Sequence, residues 1–151
     1  MGRKIQLCQQ IQLKMKEYAD LTGEVQELIS KCTANWTLFC VPIMGGQGHY
    51  EAARDKFGEL YGKQMLERFK AMSDSLSDAE KGVRDLEDLL RRQKTNLFLK
   101  FSKHYRQAES FLAKIKPQLQ ALSDTEDKVR NVLTSREVPD ACKMFFDSRE
   151  W

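Results

Sequence analysis

Cysteine and histidine are the residues of this chain best suited to chemistry, because a thiol beside an imidazole can act as a nucleophile and clusters of both bind zinc. The sequence contains four cysteines and two histidines: Cys8, Cys32, Cys40, Cys142, His49 and His104. No two cysteines form a C-x-x-C pair, and neither histidine shares a recognisable motif with a thiol. We therefore expect a protein that is not an enzyme, with no catalytic residue, no metal site and no cofactor.

A glycine-rich segment is the second candidate for chemistry. Residues 45–48 read GGQG and close an apolar run, LFCVPIM, over residues 38–44. A phosphate-binding loop usually contributes a lysine and joins a strand to a helix, whereas no Lys or Arg lies between Thr33 and Ala53. Pro42 and the glycines instead indicate a helix end and a chain reversal. The apolar run is too hydrophobic for a bare turn, so it either packs under a helical hairpin or contacts a membrane or a partner.

The elements that must position any site are predicted to be helices. Only 3 prolines and 8 glycines interrupt 151 residues, too few turn signals for an all-β fold. The balance of 25 basic and 22 acidic residues makes nucleic acid an unlikely partner. The sequence shows no apolar segment of signal-peptide or membrane-spanning length, and we expect a cytoplasmic, intracellular protein.

Heptad spacing is the strongest pattern in the chain. Apolar residues alternate at steps of three and four along three segments, which is the pattern of helices that pack along an a/d seam. The first seam comprises Cys8, Ile11, Met15, Tyr18, Thr22, Val25, Ile29, Cys32, Trp36 and Phe39. The second comprises Met65, Phe69, Met72, Leu76, Ala79, Val83, Leu86, Leu90, Gln93 and Leu97. The third comprises Phe98, Phe101, Tyr105, Ala108, Leu112, Ile115, Leu119, Leu122, Glu126, Val129 and Leu133.

These seams predict an all-α fold, a long helical hairpin or coiled-coil bundle with three or four helices. The domain spans residues 1–137, with a helix over about 4–39, a loop at 40–49, a long helix over about 50–115 and a last helix over about 118–136. The phase shift between the second and third seams is interpreted as a four-residue stutter, which does not end a helix. Pro117 is expected to kink or break the helix.

Two features of this prediction are left open. Capping signals near residues 73–78 favour a bend or a loop, although the seam stays in phase across them. The apolar tail, residues 138–151, shows no clear helical pattern, and its large side chains are expected to dock on the chain itself, on a partner or on a membrane.

The leading functional hypothesis is a non-catalytic coiled-coil scaffold or adaptor subunit that acts through helix–helix contacts. A helix of about 65 residues would be near 100 Å long, too long for the other helices of one chain to cover. The seam would therefore pair with a second copy or with another protein. The seam residues expected to form this contact are Ile11, Met15, Val25, Ile29, Leu76, Val83, Leu86 and Leu90.

The alternative hypothesis is a peripheral membrane-binding module. Residues 89–117 carry eight basic residues and one acid, directly after a segment, 73–88, with six acids and two bases. The candidate basic face comprises Arg91, Arg92, Lys94, Lys100, Lys103 and Arg106. These cations, together with the apolar loop at 38–44, suit an anionic membrane. Phe98, Tyr105 and Phe111 also have the 1-8-14 spacing of calmodulin ligands, and a solvated basic face with its aromatics in the core is the simplest reading.

Overall fold

The computed structural model describes residues 2–40, 54–136 and 138–147. Within these ranges the chain is helical with no strand, so the predicted all-α fold is confirmed. Residues 54–57 are helical and lead into a π-helical turn, Gly58–Gly62. The helices are α1 (Arg3–Cys40), α2 (Lys63–Gln93), α3 (Leu97–Lys100), α4 (Lys103–Leu133) and α5 (Asp140–Asp147).

The chain divides into two compact units. Unit 1 comprises Met1–Ala19 and Ser73–Thr125, and unit 2 comprises Asp20–Met72 and Glu126–Trp151. Helices α1, α2 and α4 each contribute residues to both units.

In unit 1, α1 and α2 run antiparallel. Lys4 Nζ donates a hydrogen bond of 2.7 Å to Gln93 Oε1, and Lys14 Nζ lies 3.6 Å from a carboxylate oxygen of Asp78. Residue numbers therefore rise along α1 as they fall along α2, which is the geometry of a helical hairpin. The predicted hairpin is present.

Helix α4 completes unit 1 as a third helix. The hydroxyl of Tyr18, a fully buried side chain, donates a hydrogen bond of 2.6 Å to the backbone carbonyl oxygen of Leu122. Lys116 Nζ forms an ion pair of 3.1 Å with Glu87 on α2. The apolar face of α4 supplies five buried residues to this core: Tyr105, Ala108, Leu112, Ile115 and Leu119.

Unit 2 is built from the second part of α1, residues 54–72, the end of α4 and α5. Glu24 and Arg68 form an ion pair of 3.1 Å, and the guanidinium of Arg130 lies 5.0 Å from the ring centroid of Phe69. Cation–π contacts of this length are favourable when the ring is buried, as Phe69 is. Helix α5 packs on the π-helical turn.

The predicted single helix over 50–115 is wrong, because α2 ends at Gln93 and α4 begins at Lys103. Two local caps explain this break. Asn96 Oδ1 accepts a hydrogen bond of 3.0 Å from the Phe98 N–H, and Ser102 Oγ accepts one of 3.1 Å from the Tyr105 N–H. Because such caps satisfy the unpaired N–H groups of a new helix, the phase shift marks a turn rather than a stutter.

The helix end predicted near Pro117 is also wrong, since α4 continues through this residue to Leu133. Pro117 is exposed, and so is Ala113, whose carbonyl loses its helical partner. Water can hydrogen-bond that carbonyl. Buried Ile115 and Leu119 hold the helix to the core on both sides of the proline.

Residues 73–78 lie inside α2, so the helix is continuous there and no loop interrupts it. The tail differs from the expected irregular segment, because residues 140–147 form α5. Ala141, Cys142 and Phe146 are buried, which shows that this part of the tail docks on its own chain. The predicted loop at 40–49 does not begin at Cys40, which is the last residue of α1. Residues 41–49 and the tail residues 148–151 lie outside the described residues, as do the side chains of 37–40.

Candidate functional site

The predicted seam residues are placed inside the chain's own core. Six of them are buried, namely Ile11, Val25, Leu76, Val83, Leu86 and Leu90, and two, Met15 and Ile29, are half-buried. The heptad pattern therefore describes packing within each unit. A side chain already removed from water by its own chain has little apolar area left for a second chain.

Most of the large apolar side chains that remain exposed lie together, between α2 and α4. Leu97 is 68% exposed, Phe98 92% and Phe101 61%. These three side chains account for most of the large exposed apolar residues in the described part of the chain, the others being Leu13 and Leu60. We call residues 91–106, which contain them, the basic aromatic turn.

Short-range backbone contacts shape the basic aromatic turn. The Asn96 N–H donates a hydrogen bond of 3.0 Å to the Gln93 carbonyl, which closes the end of α2. The Lys100 N–H donates one of 2.8 Å to the Asn96 carbonyl, which closes the single turn of α3. With a cap on either side, α3 is held between two long helices, and its residues Leu97 and Phe98 are kept out of the core.

All six residues of the candidate basic face, Arg91, Arg92, Lys94, Lys100, Lys103 and Arg106, lie in this turn and are exposed. Lys100 Nζ and the Arg106 guanidinium each lie 6.0 Å from the ring centroid of Phe101. Arg91 forms an ion pair of 3.1 Å with Asp88. Among the described residues, Lys94, Lys100, Lys103 and Arg106 form no ion pair, and no acid lies between Leu89 and Ala108. Their positive charge is therefore available to an external anion.

Leu97, Phe98 and Phe101 belong to seams that the heptad pattern predicts to be buried, and for these three residues that prediction is wrong. The second seam ends at Leu97 and the third begins at Phe98. At this point neither heptad register predicts which side chains are buried. Cations flank the same point. A change of register that coincides with a run of lysines and arginines is the signal that could have identified the exposed aromatics.

A cleft of about 230 Å³ in unit 1 brings Cys8 and His104 to one site, lined also by Ile5 and Phe111. Burial raises the pKa of the Cys8 thiol above its ordinary value. The thiol is therefore neutral near pH 7, the opposite of what nucleophilic catalysis requires. The cleft gives no support to an enzymatic role.

A calmodulin-type ligand would need Phe98, Tyr105 and Phe111 on one accessible helix face. Tyr105 is buried in α4, and the turn separates Phe98 from that helix. The described residues therefore do not present the 1-8-14 face.

The described residues contain no group of three or more His, Cys, Asp or Glu side chains placed to hold a metal ion. None of their helices combines the length and apolar character needed to cross a membrane. No protein-family model, curated protein or solved structure matches this chain.

Proposed function

We propose that this protein is a non-catalytic helical module that attaches peripherally to anionic membrane surfaces through the basic aromatic turn. The observation that carries the proposal is that exposed Leu97, Phe98 and Phe101 lie among six exposed cations within residues 91–106. Apolar side chains can enter the lipid headgroup region while the surrounding cations contact lipid phosphates.

The two contributions are of similar size. Burying a Leu or Phe side chain is worth roughly 1.5–3 kcal/mol, and each Lys or Arg close to an anionic leaflet contributes about 1 kcal/mol. Together the three apolar side chains contribute roughly 4.5–9 kcal/mol and the six cations about 6 kcal/mol, whereas association costs about 4–15 kcal/mol. Stable attachment therefore requires both the apolar residues and the cations, which makes it selective for anionic lipid.

The burial of the seam is the reason to prefer this function over the coiled-coil scaffold. A scaffold would need exposed apolar residues along a helix, whereas six of the eight seam residues expected to form the contact are buried in the chain's own core and the other two are half-buried. A protein partner with an acidic groove would use the same turn, and this is an outcome that the following experiment distinguishes.

The test is co-sedimentation of the purified chain with large unilamellar vesicles of phosphatidylcholine, with and without phosphatidylserine. We expect the protein to pellet with the phosphatidylserine vesicles only, and to be released as salt shortens the Debye length from about 8 Å at physiological ionic strength toward 3 Å at 1 M. Equal pelleting with both vesicle types, or with neither at low salt, would contradict the proposal. In that last case the turn is a surface for protein contact.

Matched variants separate the two contributions. Leu97→Ser with Phe98→Ser should weaken binding to anionic vesicles by about a hundredfold or more, and Leu13→Ser, at another exposed apolar site on α1, should not. Lys100→Gln with Lys103→Gln should weaken it by roughly thirtyfold, and exposed Lys70→Gln should have little effect. Equal effects of the test and control variants would mean that the turn is not the attachment site.

A further inference from the structure

Two cysteines from distant parts of the sequence meet in unit 2. The Sγ atoms of Cys32 on α1 and Cys142 on α5 lie 3.5 Å apart although 110 positions separate the residues. The side chains are 1% and 0% exposed. Cys8, the other cysteine whose side chain is described, belongs to unit 1.

The two thiols are not equivalent. Either sulfur can donate the hydrogen bond between them. With Cys32 as the donor, that bond lowers the pKa of Cys142 against the opposing effect of burial, and a backbone hydrogen bond with Gly62 lowers it further, which favours this direction. The same contact with Cys142, together with burial, raises the pKa of Cys32. Cys142 is therefore the thiol that ionises first and that reacts first with an electrophile.

We propose that Cys32 and Cys142 are a modification site at which a peroxide oxidises the two thiols to an intramolecular disulfide. The Cys142 thiolate attacks the peroxide oxygen, the O–O bond breaks, and the products are a sulfenic acid and hydroxide, which becomes water on taking up a proton. The Cys32 sulfur then attacks the sulfenic sulfur, the S–O bond breaks, and a second water leaves. Two thiols and one hydrogen peroxide thus become one disulfide and two waters.

The geometry of the cysteine pair suits disulfide formation better than metal binding. A disulfide requires the sulfurs to approach to about 2.05 Å, and the remaining movement is small for two side chains, one of which lies on an eight-residue helix. A structural zinc site would need about four ligands, and no group of three or more metal-binding residues occurs in the described part of the chain.

The disulfide would fix α5 to α1. In the reduced protein α5 is held by the burial of Ala141, Cys142 and Phe146 and by its packing on the π-helical turn. Because the bond closes a loop of more than a hundred residues, it restricts the unfolded chain strongly and stabilises unit 2 against opening. This inference is independent of membrane binding, since the cysteine pair lies in unit 2 and the basic aromatic turn in unit 1.

The experiment uses the full chain carrying Cys8→Ser and Cys40→Ser, so that only the proposed pair remains. After treatment with hydrogen peroxide, intact mass spectrometry should show a monomer lighter by two hydrogens, and non-reducing peptide mapping should show one peptide pair joining Cys32 to Cys142. Dithiothreitol should reverse both changes. The oxidised form should melt about 10 °C higher than the reduced form.

Adding Cys142→Ala to this background provides the control, and circular dichroism checks that this variant remains folded. It should gain oxygen atoms at Cys32, or form intermolecular dimers, but show no rise in melting temperature. The proposal is overturned if the parent yields sulfinic or sulfonic acids without a joined peptide. It is equally overturned if peroxide treatment leaves the mass of the parent unchanged.

Discussion

At the scale of single residues, the contact between Gly82 and Ile11 decides how closely α1 and α2 can approach. A Cβ placed on Gly82 would lie 2.7 Å from Cγ1 of Ile11, closer than real carbon atoms pack. Ile11 is fully buried, and its β-branched side chain has few rotamers to which it can move. Gly82 is therefore required by packing, even though glycine is a poor residue for the interior of a helix.

We expect Gly82→Ala to destabilise the protein by about 1 kcal/mol, because overpacking a core costs about 1–3 kcal/mol and the better helix propensity of alanine returns about 0.5–1 kcal/mol. The free energy of unfolding is measured by urea denaturation followed by circular dichroism. Gly23→Ala on α1 is the matched control, since a Cβ there would meet no atom within 4 Å. This control should be stabilised by about 0.5–1 kcal/mol. If both substitutions stabilise the protein, the close approach at Ile11 is absent in solution.

At the scale of the elements, the caps at Asn96 and Ser102 separate α2, α3 and α4 and so create the basic aromatic turn. Ser102 Oγ accepts its hydrogen bond from the Tyr105 N–H in the first turn of α4. Tyr105 is buried and anchors that first turn to the core. The cap and the anchor together fix where the exposed cations of α4 begin.

We expect Ser102→Ala to cost about 1 kcal/mol of stability, the usual value for loss of an N-cap. Amide hydrogen exchange should accelerate at Tyr105, whose N–H loses its acceptor, and at Arg106, whose N–H donates to the Ser102 carbonyl in the same first turn and frays with it. Ser110→Ala, at an exposed position inside α4, is the matched control and should leave exchange at these residues unchanged. Equal exchange in the two variants would show that Ser102 does not cap α4.

The sequence predicts the apolar faces of the helices well and their ends less well. The seams from Ile11 to Val25 and from Leu76 to Leu90 identify core residues because burial requires a repeat near 3.6 residues whatever the neighbouring helix is. Helix ends depend instead on single hydrogen bonds such as that of Asn96, which a hydrophobic pattern does not contain. The exposure of Phe98 and Phe101 cannot be predicted from the hydrophobic pattern either, because it follows from the turn that these hydrogen bonds create.

Contacts between residues that are distant in the chain are the second feature that the sequence does not predict. Nothing in the spacing of Cys32 and Cys142 indicates that they meet, because their approach depends on how α5 returns to the chain. At Pro117 the sequence predicts the local effect, which is the loss of one helical hydrogen bond. It does not predict that the buried residues on either side keep the helix continuous.

At the scale of the whole molecule, the question is whether the seam holds the chain itself together or joins it to another chain. Leu86 lies at the centre of the second seam and is fully buried in unit 1. Leu86→Asp places a carboxylate in this core, which costs about 4 kcal/mol or more when no partner is available. We therefore expect this variant to lose helical circular dichroism and cooperative unfolding.

Leu13→Asp is the matched control, because Leu13 is 56% exposed on α1 and the change should alter stability by no more than about 0.5 kcal/mol. Light scattering coupled to size-exclusion chromatography gives the mass of each variant. Were the seam an interface between chains, Leu86→Asp would instead yield a folded chain of lower mass than the parent, with its helical signal intact. The two outcomes separate a coiled-coil assembly from a chain whose heptads pack on themselves, because only the assembly can lose a partner and keep its fold.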